Sequence, residues 1–259
     1  MTLVRKTVRF FEYLGNWRNL KKTDIWFVSF PKSGNTWVRY FYLNFLAREV
    51  NQTREYSFEE LDEFMPEFGN RSTDLEWNFD GFPRLLKTHH AYNGIVHSGR
   101  KCVLLIRDPR DVMISYHKFL IAKARLPKHI SLSDFIQHPQ FGISSWAEHY
   151  NSWKTNTSKV IIHYEKLLQD PINEFSRMLE FCNVKFDKNA VIKAVEQSNF
   201  ESFKKIEKKF GTPKSETFDS SYNFIRSGKE KQWKKTMNQR DLDSINAVLI
   251  QFDIHEYLI

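Results

Sequence analysis

Residues 25–30 read Ile-Trp-Phe-Val-Ser-Phe, a run without polar alternation that fits a strand covered on both faces. Pro31 ends it. Six residues beyond, Trp37, Val38, Phe41, Tyr42, Phe45 and Leu46 recur at helical spacing. A buried strand that turns so soon into a helix confines the chain to an α/β architecture, because the helix must return over the sheet it has left.

The same alternation continues. Arg84–Lys87 is a weaker strand, and residues 101–106 (Lys-Cys-Val-Leu-Leu-Ile) are the clearest one. After it the sequence Arg107-Asp-Pro-Arg-Asp111 starts a helix over Val112–Leu120. Asp108 suits the N-cap, Pro109 the first helical position and Asp111 the third. Residues 159–164 and 171–182 form a further strand–helix unit, and from Phe200 to Lys235 the chain reads as mostly helical and strongly basic. No repeat, low-complexity tract or linker divides it. The expectation is one domain over residues 1–259, with a central, mostly parallel sheet flanked by helices. About twenty N-terminal residues and the C-terminal tail are expected at its periphery.

Charge narrows the partners. Lys and Arg total 39 against 31 Asp and Glu, a surplus of +8 that favours anionic ligands without choosing among them. Cys102 and Cys182 stand in apolar contexts and make neither a disulfide framework nor a zinc site, which fits a reduced, cytoplasmic setting. No run approaches the ~18 apolar residues of a membrane-spanning helix. The N-terminus is basic and amphipathic, but Glu12 interrupts any signal-peptide core.

Three segments carry chemistry. The first is Ser29-Phe-Pro-Lys-Ser-Gly-Asn-Thr-Trp37. A strand-to-helix turn of this kind aims backbone N–H groups at one spot. Lys32 adds positive charge there, Ser33, Asn35 and Thr36 add neutral donors, and Gly34 allows close backbone approach. It is not a Walker A loop, since its lysine precedes a single glycine. The second is Arg107–Ser115 and the third is Phe224–Lys234. Both combine Arg or Lys with small hydroxyl or Gly positions, the chemistry of a phosphate contact.

Taken together, and in this order, these motifs resemble the sulfotransferases that use 3′-phosphoadenosine 5′-phosphosulfate (PAPS), in particular the cytosolic branch acting on small alcohols and phenols. The family's phosphosulfate loop, which is P-loop-like, corresponds to Phe30–Trp37. Its Lys-Thr-His is Lys87-Thr-His89, its 3′-phosphate segment is Arg107–Ser115, and its tyrosine–acid pair is Tyr164-Glu165. Ser198-Asn-Phe200 stands where Thr-Ser-Phe is usual, and Arg226-Ser-Gly228…Trp233-Lys234 closes the pattern. Phe141–Trp153 also resembles a Gly…Trp…His…Trp stretch of those enzymes. The likeness runs over about residues 23–235.

The resemblance implies PAPS as co-substrate, a small-molecule hydroxyl acceptor and no metal. It makes His89 the general base, although on the residues alone His90 is equally eligible. Lys32 would neutralise the leaving phosphate, and Lys87 would hold the sulfuryl oxygens or the departing bridge. Ser33, Gly34, Asn35 and Thr36 would cradle the 5′ side. Arg107, Ser115, Arg226, Ser227 and Gly228 would surround the 3′-phosphate. Trp37 and Phe200 would sandwich adenine, with Tyr164 at its edge and Ser198 nearby.

Three departures stand out. His90-Ala-Tyr92 replaces the Leu-Pro that normally follows Lys-Thr-His, which reshapes the acceptor side. Ser227 and Lys231 replace a lysine and a glycine of the closing motif. The family's C-terminal dimer motif is not visible after Trp233, so the chain's oligomeric state is left open. Two other readings compete with this one. A metal-dependent P-loop-like small-molecule kinase would share the strand–loop–helix unit, but neither Walker A nor a convincing Walker B carboxylate is present. A basic nucleic-acid-binding module would use Phe203-Lys-Lys-Ile-Glu-Lys-Lys-Phe210, but those lysine pairs fall on what reads as a solvated helix face.

Overall fold

The computed structural model describes residues 15–69, 73, 77–211, 219, 222–223 and 228–259. In chain order its main elements are β1 (Ile25–Ser29), α1 (Asn35–Glu49), α2 (Phe58–Phe64), β2 (Leu85–Thr88), β3 (Cys102–Ile106), α3 (Pro109–Ala122), α4 (Leu132–Ile136) and α5 (Ile143–Lys154). They continue with β4 (Lys159–His163), α6 (Tyr164–Gln169), α7 (Pro171–Phe181), α8 (Lys188–Gln197), α9 (Phe200–Phe210) and α10 (Gln239–Gln251). Single helical turns lie at Gly94–His97 and Trp233–Thr236.

The four strands form one parallel sheet in the order β2-β1-β3-β4. Both faces of β1 and β3 are buried, which is why those runs are continuously apolar. Ile25 and Phe27 point to the face covered by α1, α2 and α6–α9, where Phe41 stacks on Phe175. Trp26 and Val28 point to the opposite face, under α3, α4, α5 and α10. Each large apolar side chain buried there contributes about 1.5–3 kcal/mol.

The helices after β1 and β3 therefore leave to opposite faces of the sheet. The order in which strands are added switches between these parallel neighbours, and the crevice outside the carboxyl ends at such a switch is where open parallel sheets bind ligands.

Helix starts follow their caps. Asp108 accepts from Arg110 N at 2.9 Å with Pro109 at the first helical position, as expected. Ser57 and Glu60 close a capping box on α2. The weak second strand runs over Leu85–Thr88, one residue along; the Arg84 carbonyl still accepts from Ile25 N at 2.9 Å, and its side chain forms a buried ion pair with Asp24 at 2.9 Å.

The basic stretch from 200 to 235 is not one helical region. α9 stops where Gly211 takes φ 81°, and Gly228 and Lys231 also have positive φ. At the ends, Asn16 is buried and its Oδ1 accepts from Thr73 N at 2.8 Å. The C-terminal tail, expected at the periphery, buries Ile254 completely and sets Tyr257 edge-on against Trp146 of α5.

Candidate active site

The loop between β1 and α1 sits at the crevice. Lys32 and Gly34 both take left-handed backbone, φ 69° and 102°, and this alternation turns successive N–H groups toward one side. Gly34 occupies the N-cap of α1, and no side chain caps that helix. Trp37 N donates to Gly34 O at 3.0 Å, while no side chain takes the N–H groups of Asn35 and Thr36, which suit a ligand. A Cβ on Gly34 would lie 2.5 Å from Tyr164 Cδ2, so only glycine lets the tyrosine ring cover the loop.

Around this point buried polar atoms lack partners among the described residues: Ser33 Oγ, Asn35 Oδ1, Trp37 Nε1 and Arg107 Nε. Native interiors rarely leave such groups unpaired, and several converging on one uncapped helix end mark a place where a polar ligand completes the network. Asn35 Nδ2 donates to Ser29 Oγ at 3.2 Å, and Thr36 is half-buried beside it. Lys32 folds over the Phe119 ring of α3, its Nζ 4.6 Å from the centroid.

The end of β3 closes the other wall. Arg107 donates to Lys32 O and to Lys229 O, both at 3.2 Å, and its guanidinium lies 4.3 Å over the Tyr164 ring. One arginine thereby ties the loop, β3, α6 and the closing segment together. Asp108 grips Arg110 with two bonds of 2.8 Å, and Arg110 stacks on Trp233 at 4.1 Å. Trp233 N in turn donates to Asp111 Oδ1 at 3.2 Å. Glu165 Oε1 accepts from Asp108 N at 2.9 Å, giving the acid of the Tyr-Glu pair a structural task.

β2 ends beside the loop. Its Thr88 is followed by His89, whose Nδ1 lies 2.6 Å from the Ser29 carbonyl oxygen. A carbonyl can only accept, so Nδ1 carries the proton and Nε2 keeps its lone pair. Burial, with the nearby Lys87 charge, pushes the imidazole down to about 4. It is therefore neutral at physiological pH. Lys87 Nζ lies 2.5 Å from Glu67 Oε2, and burial lowers its ammonium below the usual lysine range despite that partner. His90 is exposed; its backbone N–H donates to Thr88 Oγ1 and its carbonyl accepts from Trp153 Nε1.

Lys32–Trp37, Lys87, His89, Arg107 and Tyr164 thus line one carboxyl edge. Ser115 lies half-buried on α3, one turn beyond Asp111. Gly228 packs against Phe200, since a Cβ there would lie 3.0 Å from Phe200 Cδ2. Ser198 is fully buried, and its hydroxyl donates to Ala194 O at 2.7 Å. Trp37 meets Tyr164 and Phe175 edge-to-face. Arg226 and Ser227 lie outside the described residues.

Two contributors escaped the sequence reading. Glu67 lies twenty positions from the lysine it pairs with, and no motif announces it. Phe119 reads as an ordinary helix aromatic until Lys32 is seen over its face. Among the described residues no group of three or more His, Cys, Asp or Glu could hold a metal ion, and no helix is long and apolar enough to cross a membrane.

Fold and site together define a parallel α/β protein in which a helix start without a side-chain cap and several buried unpartnered polar atoms lie beside a buried histidine. The chain belongs to the sulfotransferase domain family, whose model matches residues 22–251. It is 26% identical over 197 residues to mouse sulfotransferase 1E1, covering 70% of this chain and 66% of that one. It is 24% identical to the rabbit amine sulfotransferase, over 88% of this chain and 80% of the relative. To the luciferin sulfotransferase of Photinus pyralis it is also 24% identical, with 85% and 69% covered.

Solved structures share the fold. A retinol dehydratase in complex with androsterone and inactive cofactor PAP (the desulfated nucleotide) gives a TM-score of 0.69 at 18% identity, covering 93% of this chain and 85% of that one. A mouse sulfotransferase complexed with PAP gives 0.65 at 17% identity, covering 95% and 90%.

Proposed function

We propose that the chain transfers a sulfuryl group from PAPS to the hydroxyl of a small alcohol or phenol. The observation that carries this reading is the set of unpartnered buried atoms (Ser33 Oγ, Asn35 Oδ1, Trp37 Nε1, Arg107 Nε) around the uncapped start of α1. Ser33 Oγ, Trp37 Nε1 and Arg107 Nε can donate to an anionic nucleotide, and Asn35 Oδ1 can accept from its hydroxyl or N–H groups. The relatives named above, and the PAP held by two proteins of this fold, support the same donor.

PAPS, when bound, supplies an activated sulfuryl group at its 5′ end and a 3′-phosphate that distinguishes it from ATP. The first-turn N–H groups of α1, with Ser33, Asn35 and Thr36, hold the 5′ side, and Lys32 offsets charge on the leaving phosphate. Arg107 and Ser115, with Gly228, Arg226 and Ser227, hold the 3′-phosphate. Trp37 and Phe200 enclose the base, Tyr164 borders it, and Ser198 backs Phe200. Lys87 orients the sulfuryl oxygens.

His89 does the proton work. Its Nδ1–H is committed to Ser29 O, so Nε2 takes the proton of the acceptor hydroxyl as that oxygen attacks in line. The test is turnover of PAPS with a panel of alcohols and phenols, by wild type and His89→Ala. The expected result is transfer to at least one acceptor, reduced about 10²–10⁴-fold in the variant with PAP binding kept. Comparable turnover by His89→Ala would remove the base assignment. Failure of the wild type on every hydroxyl acceptor would overturn the acceptor class.

A further inference from the structure

Lys87 is held in an unusual way for a lysine at the end of a strand. β2 is the edge of the sheet, and its free side is covered by a short piece of chain, residues 66–68. Both main-chain groups of Lys87 are used there: its N–H donates to Pro66 O at 3.1 Å, and its carbonyl accepts from Phe68 N at 2.8 Å. This parallel bridge sets Glu67 directly beside Lys87. Paired residues of a bridge project to the same face, and the carboxylate meets the ammonium at 2.5 Å with side-chain exposures of only 23% and 14%.

The surroundings make the pairing consequential. From α1, Arg39 reaches across to Asp62 of α2 at 2.8 Å and to the carbonyls of Leu61 and Met65 at 2.8 and 2.7 Å. That cation has Asp62 as its counter-charge. His89, at the end of Lys87's own strand, is neutral. Glu67 is then the carboxylate in direct contact with Lys87, in a site that on the proposed reading receives a strongly anionic donor.

We propose that Glu67 is the positioning residue for Lys87: its edge-strand tether fixes where the ammonium stands beside His89, and its carboxylate keeps that ammonium charged in a partly dry site. The inference rests on the sulfuryl-transfer reading for its catalytic consequence, though not for the tether. A lysine so enclosed tends to lose its proton, since burial disfavours the charged form. Arg39 and the burial of Lys87 push in that direction, and Glu67 and Asp62 push back. Removing the Glu67 charge tips the balance further toward the neutral amine. A neutral amine at this position cannot stabilise sulfuryl oxygens, so activity becomes sensitive to alkaline pH.

The experiment uses full-length wild type, Glu67→Gln and Glu67→Asp. The ammonium of Lys87 is titrated directly by NMR of labelled lysine in the ligand-free proteins, and kcat and the KM for PAPS are measured across pH 6–10. The account predicts that the Lys87 midpoint falls by about one unit in Glu67→Gln, with the alkaline limb of kcat moving the same way. On the alkaline limb kcat drops by up to about tenfold while KM changes less, and Glu67→Asp recovers part of both. An unchanged Lys87 midpoint in a folded Glu67→Gln protein would overturn it. So would a loss of kcat equal at every pH, which marks a merely structural role. Should the wild type transfer no sulfuryl group, the functional reading fails, while the titration still decides the tether.

Discussion

At Gly34 a single missing carbon decides the site. The residue's φ of 102° and the Tyr164 ring 2.5 Å from where a Cβ would stand leave no room for another side chain. Two residues back, Lys32 accepts a left-handed backbone that non-glycine residues rarely adopt, strain of a kind that collects at ligand-binding loops. The histidines behave as a group. His89 and His97 are lowered to about 4 and His149 to about 3, each chiefly by burial. Unfolded, they titrate near 6.5. Between pH 6.5 and about 4 the unfolded chain therefore binds more protons than the folded one, and stability falls as pH falls through that window. The expected outcome is a urea midpoint that drops steadily from pH 7 to pH 4.5, with the slope reduced in His149→Phe. A midpoint independent of pH over that range, in wild type, would contradict the burial of these rings as neutral groups.

Among the elements, the start of α3 carries most. Asp108 caps it, grips Arg110 and is itself held by Glu165, while Arg110 and Asp111 hold Trp233 of the closing segment. Asp108→Ala removes a cap and a bidentate ion pair together. It is expected to cost about 1–3 kcal/mol in chemical denaturation, and to weaken PAP binding by loosening residues 228–234. Normal stability in that variant would show the anchor to be incidental. This helix start was legible in the sequence because Asp-Pro-x-Asp states cap, first turn and dipole complement locally. All four strands were legible for a similar reason, as apolar runs bounded by turn residues. What escaped depends on pairing across the fold. The Arg84 side chain is committed to a buried ion pair with Asp24, Glu67 meets Lys87 through an edge bridge, and α9 ends at Phe210 with Gly211 in a left-handed backbone. Lys32, His89 and Arg107 were placed at the site by resemblance; the reason for the placing, one arginine spanning two carbonyls and a tyrosine face, is three-dimensional.

Over the whole molecule, the sheet's order places β1 and β3 side by side with their helices on opposite faces, and Lys32, His89 and Arg107 all follow the carboxyl ends of its strands. The surplus of +8 charges, spread over the chain, draws anions toward it without selecting among them. On the proposed reading, selection belongs to the residues that would hold a 3′-phosphate, Arg107 and Ser115 among them. The direct measurement is thermal unfolding without metal, in the presence of adenosine 3′,5′-bisphosphate, ATP or AMP. At a hundred times its dissociation constant the bisphosphate should add about 2.7 kcal/mol, a rise of roughly 5–10 °C, with little or none from ATP and AMP. No rise with the bisphosphate, or an equal rise with ATP, would contradict the account.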